Sequence, residues 1–343
     1  MNTALDTKKA TKTSEAVPLL SVQNLRVELS TRTGIAPVLD DLSFHINSGE
    51  TLGVVGESGC GKSMTALAMM GLLPDKVGRV AAGSIVFNGE DLTKLSDARQ
   101  REIRGNSVSM IFQEPMTSLN PVYTVGEQIA EVLRRHEKLG QRAAWAKAGD
   151  LLDAVRIPNP RARVNDYPHQ MSGGQRQRVM IAIALACAPK LLIADEPTTA
   201  LDVTVQAQIF DLLRDLGEQT GTAIMLITHD MGAVAEMAER MIVMYAGRKV
   251  EEGAVDTIIA APKHPYTKGL ISCVPHLMAE LDEERPTLTE VGGIVPSLKE
   301  FGRNACLFAS RCTIADDHCR SARPQEVALA EGQKSACWHV DKV

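Results

Sequence analysis

The chain has 343 residues, 44% of them apolar, enough to bury a sizeable core and to build more than one packed unit. Its 37 Lys and Arg against 42 Asp and Glu leave a formal charge of -5, which argues against a general nucleic-acid binder, whose usual mark is a basic excess or stripe. No stretch reaches the roughly 18 consecutive apolar residues of a membrane-spanning helix, so any role at a membrane has to come through other chains.

Residues 1–18 carry Thr, Lys and Ala without an apolar core, so a disordered tail is expected and a secretory signal is not. Short alternation from Leu20 to Ile46, punctuated by Gly34, Pro37 and Gly49, predicts antiparallel strands. Thr51–Val55 reads as a compact buried strand, followed by a glycine-rich turn and a helical run, Met64–Leu73. Ser109–Phe112 is a second buried strand, and from Val125 to Cys187 the apolar spacing turns helical. Two more apolar strands, Leu191–Ala194 and Ala223–Thr228, flank a helix over Val205–Leu216, and Met241–Tyr245 with Arg248–Val250 close the series. Strand and helix in alternation predict an α/β fold around a parallel sheet with a helical insertion. Past Ala261 the composition shifts to Pro, Gly and Cys, marking a separate C-terminal extension.

Gly56-Glu57-Ser58-Gly59-Cys60-Gly61-Lys62-Ser63 fits the G-x-x-x-x-G-K-[ST] phosphate loop and stands between a predicted strand and the helix opening at Met64. Glycines let successive backbone N–H groups turn inward around phosphates, and the helix N-terminus adds positive potential. In that pattern Lys62 reaches the β- and γ-phosphates and the Ser63 hydroxyl ligates Mg²⁺. The apolar run Leu191–Ala194 ends in Asp195-Glu196. Asp195, at the end of a parallel strand, is placed for the Mg²⁺ shell, while Glu196 points elsewhere and can act as general base on water.

Ser172-Gly173-Gly174-Gln175, within Met171–Arg178, resembles the signature sequence of ABC ATPases, a helix opening that offers N–H groups and a hydroxyl to a phosphate. Further matches follow in family order: Gln113 resembles the Mg²⁺- and water-sensing glutamine, Ala200-Leu201-Asp202 the D-loop, and His229 the switch histidine that contacts the γ-phosphate. The resemblance covers nearly everything from residue 19 to 343. It implies a P-loop NTPase core of the RecA-like type with an antiparallel β subdomain, a helical signature subdomain and a Cys-rich extension. It divides the chain into 19–112 and 191–260 for the two parts of the nucleotide-binding core, 113–190 for the helical part and 261–343 for the extension. It also implies a head-to-tail pair of ATPases, each Lys62 site completed by the partner's signature, so that ATP binding closes the pair and hydrolysis releases it. Where the family stacks an aromatic ring on adenine, this chain places Leu29.

Three stretches resemble the branch that imports dipeptides, oligopeptides, nickel and related solutes: Phe112–Pro121, Asp195–Asp202 and His264-Pro265-Tyr266-Thr267. The D-type ATPases of dipeptide transporters are the nearest resemblance. It implies a second, non-identical ATPase, two permease subunits, an extracytoplasmic solute-binding protein, and a peripheral position on the cytoplasmic face of a bacterial inner membrane. Opine, glutathione and nickel transport use the same motor design. A soluble ABC ATPase of DNA repair or translation is the rival, but its long coiled-coil, tandem or basic insertions are not in this sequence.

Of the seven cysteines, Cys306, Cys312, Cys319 and Cys337 crowd the end of the chain. Four thiolates fit tetrahedral Zn²⁺ or an iron–sulfur cluster, and the lack of a Cys-x2-Cys knuckle weighs against an ordinary zinc ribbon. Resemblance to the extension of peptide-importer ATPases implies a 4Fe–4S cluster, with Zn²⁺ as the alternative.

Overall fold

The computed structural model describes residues 17–32, 34–114, 118–199, 201–273 and 291–343. The tail expected over 1–18 lies, up to residue 16, outside the described residues, as do Pro115, Met116 and Thr117 of one marker stretch and Ala200 of the D-loop.

β1 (Leu20–Thr31) and β2 (Gly34–Ile46) form the expected antiparallel pair, joined by β4 (Gly78–Phe87) and β5 (Glu90–Asp91) in a sheet ordered β2-β1-β4-β5. The second sheet carries β3 (Thr51–Val55) beside β6 (Val108–Ile111), β7 (Leu191–Asp195), β8 (Ala223–Ile227), β9 (Arg240–Tyr245) and β10 (Arg248–Ala254). β11 (Val327–Ala328) and β12 (Lys334–Ser335) extend it to the order β11-β12-β10-β9-β3-β8-β7-β6. The run from β9 through β3, β8 and β7 to β6 is parallel.

Those parallel strands are apolar on both faces because both faces are covered. In β7, Leu192 and Ala194 enter one core and Leu191 and Ile193 the other; in β9, Met241, Val243 and Tyr245 alternate likewise with Ile242 and Met244. One core lies under the antiparallel sheet. The other holds the helices α3 (Val125–His136), α4 (Gln141–Ala154) and α6 (Gly173–Leu185), with the short α5 (Pro160–Arg163) between the last two. α7 (Val203–Thr220) packs on it too, stopped by Gly221 at φ 66°, and is longer than the Val205–Leu216 read from spacing.

Other differences from expectation have local causes. α1 (Lys62–Met69) starts two residues before Met64, because Gly61 in the left-handed region lets the helix open directly off the phosphate loop. β4 escapes the apolar pattern because only Ile85 and Phe87 of its ten residues are buried. α2 (Asp97–Ile103) and α8 (Met231–Met237) are too short to show a period, and each is announced only by its cap, Ser96 or Asp230.

The segment beyond Ala261 is tied into the core rather than detached. α9 (Val255–Ala260) and α10 (Pro265–Ser272) lead into it, and β12 pairs with β10 through Glu251↔Ser335 and Glu252↔Lys334. Arg248 is bonded to Asp40 of β2 and to the carbonyls of Phe301, Arg303 and Ala305, and Arg323 reaches the same aspartate. Removing Asp40 would leave a buried guanidinium uncompensated, which costs about 3–5 kcal/mol. A short helix, α11 (Asp317–Ser321), carries Cys319.

Candidate functional site: a phosphate loop, a water-activating carboxylate and an exposed helix opening

The phosphate loop leaves the end of β3 and turns through Gly56, Gly59 and Gly61 at φ 152°, 81° and 103°. A Cβ at Gly56 would stand 2.2 Å from the Met244 carbonyl oxygen, and one at Gly61 2.6 Å from Leu39. At Gly59 a Cβ would meet nothing within 4 Å, so here the backbone at φ 81°, and not crowding, favours glycine. Lys62 is buried, its Nζ donating to the carbonyls of Gly56 at 2.7 Å and Glu57 at 3.2 Å. Buried Cys60 and half-buried Met64 contribute to the core beneath the loop.

Ser63, in the first turn of α1, donates its hydroxyl to Asp195 Oδ1 at 3.0 Å. That oxygen pair, a hydroxyl and a carboxylate, is the hard donor set that suits Mg²⁺. Burial pushes the Asp195 carboxyl up, opposed by the Ser63 hydrogen bond. Glu196 follows at φ 46°, a left-handed conformation that costs a non-glycine residue roughly 1–2 kcal/mol. The chain holds it there by bonding the Glu196 N–H to the Ile227 carbonyl at 2.8 Å. In that conformation the Glu196 carboxylate meets a ring of partners. Gln113 Nε2 donates to Oε2 at 2.8 Å, the Thr199 hydroxyl donates to the same oxygen at 3.0 Å, and His229 Nδ1 stands 3.4 Å from Oε1. Burial pushes Glu196 up, but the bonds from Thr199 and His229 outweigh it and hold the carboxyl below its ordinary value. An ionised, oriented carboxylate is what a general base needs. Thr199 lay in a marker stretch without a role assigned to it from sequence.

The signature residues stand apart from this cluster. Ser172 caps α6, accepting from the Gln175 N–H at 3.3 Å while its own N–H donates to Gln175 Oε1 at 3.0 Å. The Gln175 side chain is thereby engaged in a capping box. Ser172 and Gly173 are exposed, and Gly174 packs so closely on Val205 that a Cβ there would come within 2.9 Å of it. Asp202, next to the D-loop's Leu201, caps α7, and Gln206 joins it to Asp230, the residue after His229. Leu29 lies half-buried in β1, paired with Ala36 and Gly78.

A family model described as ABC transporter matches residues 39–199, and one described as oligopeptide/dipeptide transporter, C-terminal region, matches 250–319. A probable peptide ABC transporter ATP-binding protein of Sinorhizobium fredii is 49% identical over 325 residues, covering 95% of this chain and 96% of that protein. The chain belongs to the ABC transporter family of ATP-binding proteins. A putative peptide import ATP-binding protein of Brucella abortus is 46% identical over 327 residues, covering 93% and 96%. The ATP-binding cassette MJ0796, solved as a dimer bound to ADP and Pi, superposes with a TM-score of 0.62 at 28% identity, covering 69% of this chain and 98% of that one. CbiO1 of Clostridium perfringens gives 0.59 at 26% identity, covering 71% and 91%.

This ABC ATPase brings Cys306, Cys312, Cys319 and Cys337 to the wall of one small cavity, with Phe308, Trp338 and His339. Burial pushes Cys306 up to about 11 and raises Cys319 and Cys337 as well. No three of the four sulfurs lie within 4.8 Å of one another. The trio that does is Asp316, Cys319 and His339, among the described residues. Asp316 has a structural task there, capping α11 by accepting from the Cys319 N–H at 2.9 Å and pairing with His339 at 3.0 Å.

Proposed function

We propose that the chain is the ATP-hydrolysing motor of a peptide importer, acting at Gly56–Ser63, Asp195 and Glu196 of its own and at Ser172–Gln175 on a partner's nucleotide. The observation that carries this is the convergence of Gln113, Thr199 and His229 on one ionised carboxylate, Glu196, beside the Ser63–Asp195 pair.

The loop's N–H groups and Lys62 hold the triphosphate, with the α1 N-terminus favouring its charge. Ser63, Asp195 and Gln113 are the residues that would hold Mg²⁺, which neutralises charge between the β- and γ-phosphates when bound. Glu196 takes the proton of the attacking water, and His229, 66% exposed at its side chain, would leave its contact with Glu196 to reach the γ-phosphate. Ser172 and Gly173, exposed and engaged in the capping of their own helix, would close over the γ-phosphate of a second ATPase in a head-to-tail pair. The dimer of MJ0796 with ADP and Pi supports this reading.

No helix among the described residues is long and apolar enough to cross a membrane. The permeases would therefore supply the path, with this subunit docked on the cytoplasmic face of the inner membrane and a solute-binding protein delivering cargo outside. Peptides as cargo rest on what the relatives are named for. The division into a core of 19–112 and 191–260, a helical part at 113–190 and an extension at 261–343 belongs to the same proposal. Reconstitution in liposomes with its permeases, partner ATPase and binding protein should give ATP-dependent dipeptide uptake; uptake of nickel or an opine in place of dipeptide would redirect the cargo.

For the cysteine pocket we carry a 4Fe–4S cluster as the proposal, with Zn²⁺ as the alternative. A Zn²⁺ with four bonds of about 2.3 Å needs its sulfurs about 3.8 Å apart, closer than any three are held here. The four cysteines would hold the cluster as a cross-link of the extension, with no role in hydrolysis. Iron and sulfide should be found in anaerobically purified protein and be lost in Cys312→Ser; iron unchanged by that substitution would end this reading.

A further inference from the structure

Arg311, in the extension, reaches the phosphate loop across 254 residues of sequence. Its Nη1 donates to Glu57 Oε2 at 2.6 Å and its Nη2 to Glu57 Oε1 at 2.9 Å, a two-pronged match of guanidinium to carboxylate. Only 2% of the arginine side chain is exposed. It also donates to the carbonyls of Val291 and Gly292 and to the Tyr245 hydroxyl, and its cation lies 5.7 Å from the ring centroids of both Tyr245 and Phe308. A second tie meets the same loop residue: the Glu57 N–H donates to the hydroxyl of buried Tyr266 at 2.8 Å. Glu57 is thus fixed by its side chain and by its backbone, and its carbonyl is one of the two that hold Lys62.

This arrangement bears on a polyanion. Glu57 is the sole acidic residue of Gly56–Ser63, and an unpaired carboxylate there would oppose a triphosphate at short range. A loop that must order itself on binding also loses affinity to the entropy of ordering. We propose that Arg311 is a positioning residue of the ATP site: by clamping Glu57 it keeps the phosphate loop in its receptive shape and turns the loop's carboxylate away from the nucleotide. The extension is then a component of the ATP site and not an appendage. The proposal rests on the assignment of Gly56–Ser63 as the phosphate site.

The test is titration of the full chain with a fluorescent ATP analogue, alongside thermal melting and steady-state ATPase in the assembled transporter. Arg311→Gln should weaken nucleotide binding about tenfold and raise KM with kcat changed less than about threefold. Arg311→Lys keeps the charge but not the fork, and should lie between parent and Arg311→Gln. Adding Glu57→Gln to Arg311→Gln removes the repulsion but not the loss of the clamp, and should recover only part of the affinity, leaving it between Arg311→Gln and the parent. Parent-like affinity in Arg311→Gln, with or without a lower Tm, overturns the proposal by reducing Arg311 to a structural tie. A double variant as weak as the single one overturns the charge argument. If Arg311→Gln does not fold, parent-like affinity in Arg311→Lys overturns the proposal in its place. Lys62→Ala is run beside them: were it to bind nucleotide normally, the phosphate-site assignment fails, a result distinct from failure at Arg311.

Discussion

Two helices of this ATPase open on glycine and serine, and their surroundings differ. At α1 the opening is completed within the chain. Lys62 is buried, Ser63 is bonded to Asp195, and the loop residue Glu57 is gripped by Tyr266 and Arg311. At α6 the opening is capped, among the described residues, by its own Ser172–Gln175 pair, and Ser172 and Gly173 face solvent. Both ends carry the N–H groups and partial positive charge that attract phosphate. On the proposed function, the first is one half of a nucleotide site and the second would acquire its ligand only when another chain presents one.

The contrast is broken most sharply at the carboxylate beside the first opening. Glu196→Gln keeps the shape and an acceptor for Gln113 and Thr199 but cannot take a proton. Turnover should fall about 10²–10⁴-fold with nucleotide binding retained, as read by single-turnover ATPase and equilibrium titration. Full turnover in this variant would remove Glu196 as the base.

A smaller effect separates the two helix openings. Gly173→Asp has room, since a Cβ there meets only Leu201 at 3.7 Å, and a carboxylate at a helix N-terminus is favoured by the dipole. The Tm should therefore hold or rise slightly, and nucleotide should still bind at Lys62. ATPase activity and ATP-induced pairing should drop by more than about tenfold, because the new charge confronts the partner's phosphates. Unchanged pairing and turnover would show that the α6 opening does not meet a nucleotide.

The smallest effect concerns the scaffold shared by both. His45 of β2 lies 3.1 Å from Arg240 through Nε2, and burial first, then the Arg240 charge, hold its pKa below the ordinary 6.5. A depressed folded-state value means that this stabilisation is complete above pH 6.5 and is lost as the pH falls below it. Melting between pH 7.5 and 5 should show a steeper loss for the parent than for His45→Gln. The difference should be a fraction of the roughly 1.4 kcal/mol per pH unit that a fully shifted group would supply. Equal slopes would show that His45 is not the group responsible.

Much of the site was legible in the sequence because its chemistry demands fixed residue types at fixed spacing. Of the residues the motifs single out, Ser63 of the loop Gly56–Ser63 meets Asp195, and Gln113 and His229 meet Glu196. Thr199 was within a quoted stretch, but nothing in one sequence says that its hydroxyl turns back three residues onto Glu196. Tyr266 carried a family marker and no task. Arg311 carried no signal at all, since an arginine in a Cys-rich segment is indistinguishable from a solvated one until the fold buries it. Among the elements, strands buried on both faces were read nearly to the residue, whereas the mostly exposed β4 and the short helices α2 and α8 were not, because neither burial nor period marks them.

The sequence by itself determined the class of chemistry, the order of its parts and the parallel strands that carry them, since backbone conformation and apolar pattern are local properties of the chain. Only the tertiary structure decided which partners complete Glu196, that β12 and Arg248 bind the extension to the core, and that Arg311 grips the phosphate loop. Those contacts join residues far apart in the chain through side-chain geometry, which comes into being when burial removes water from between them.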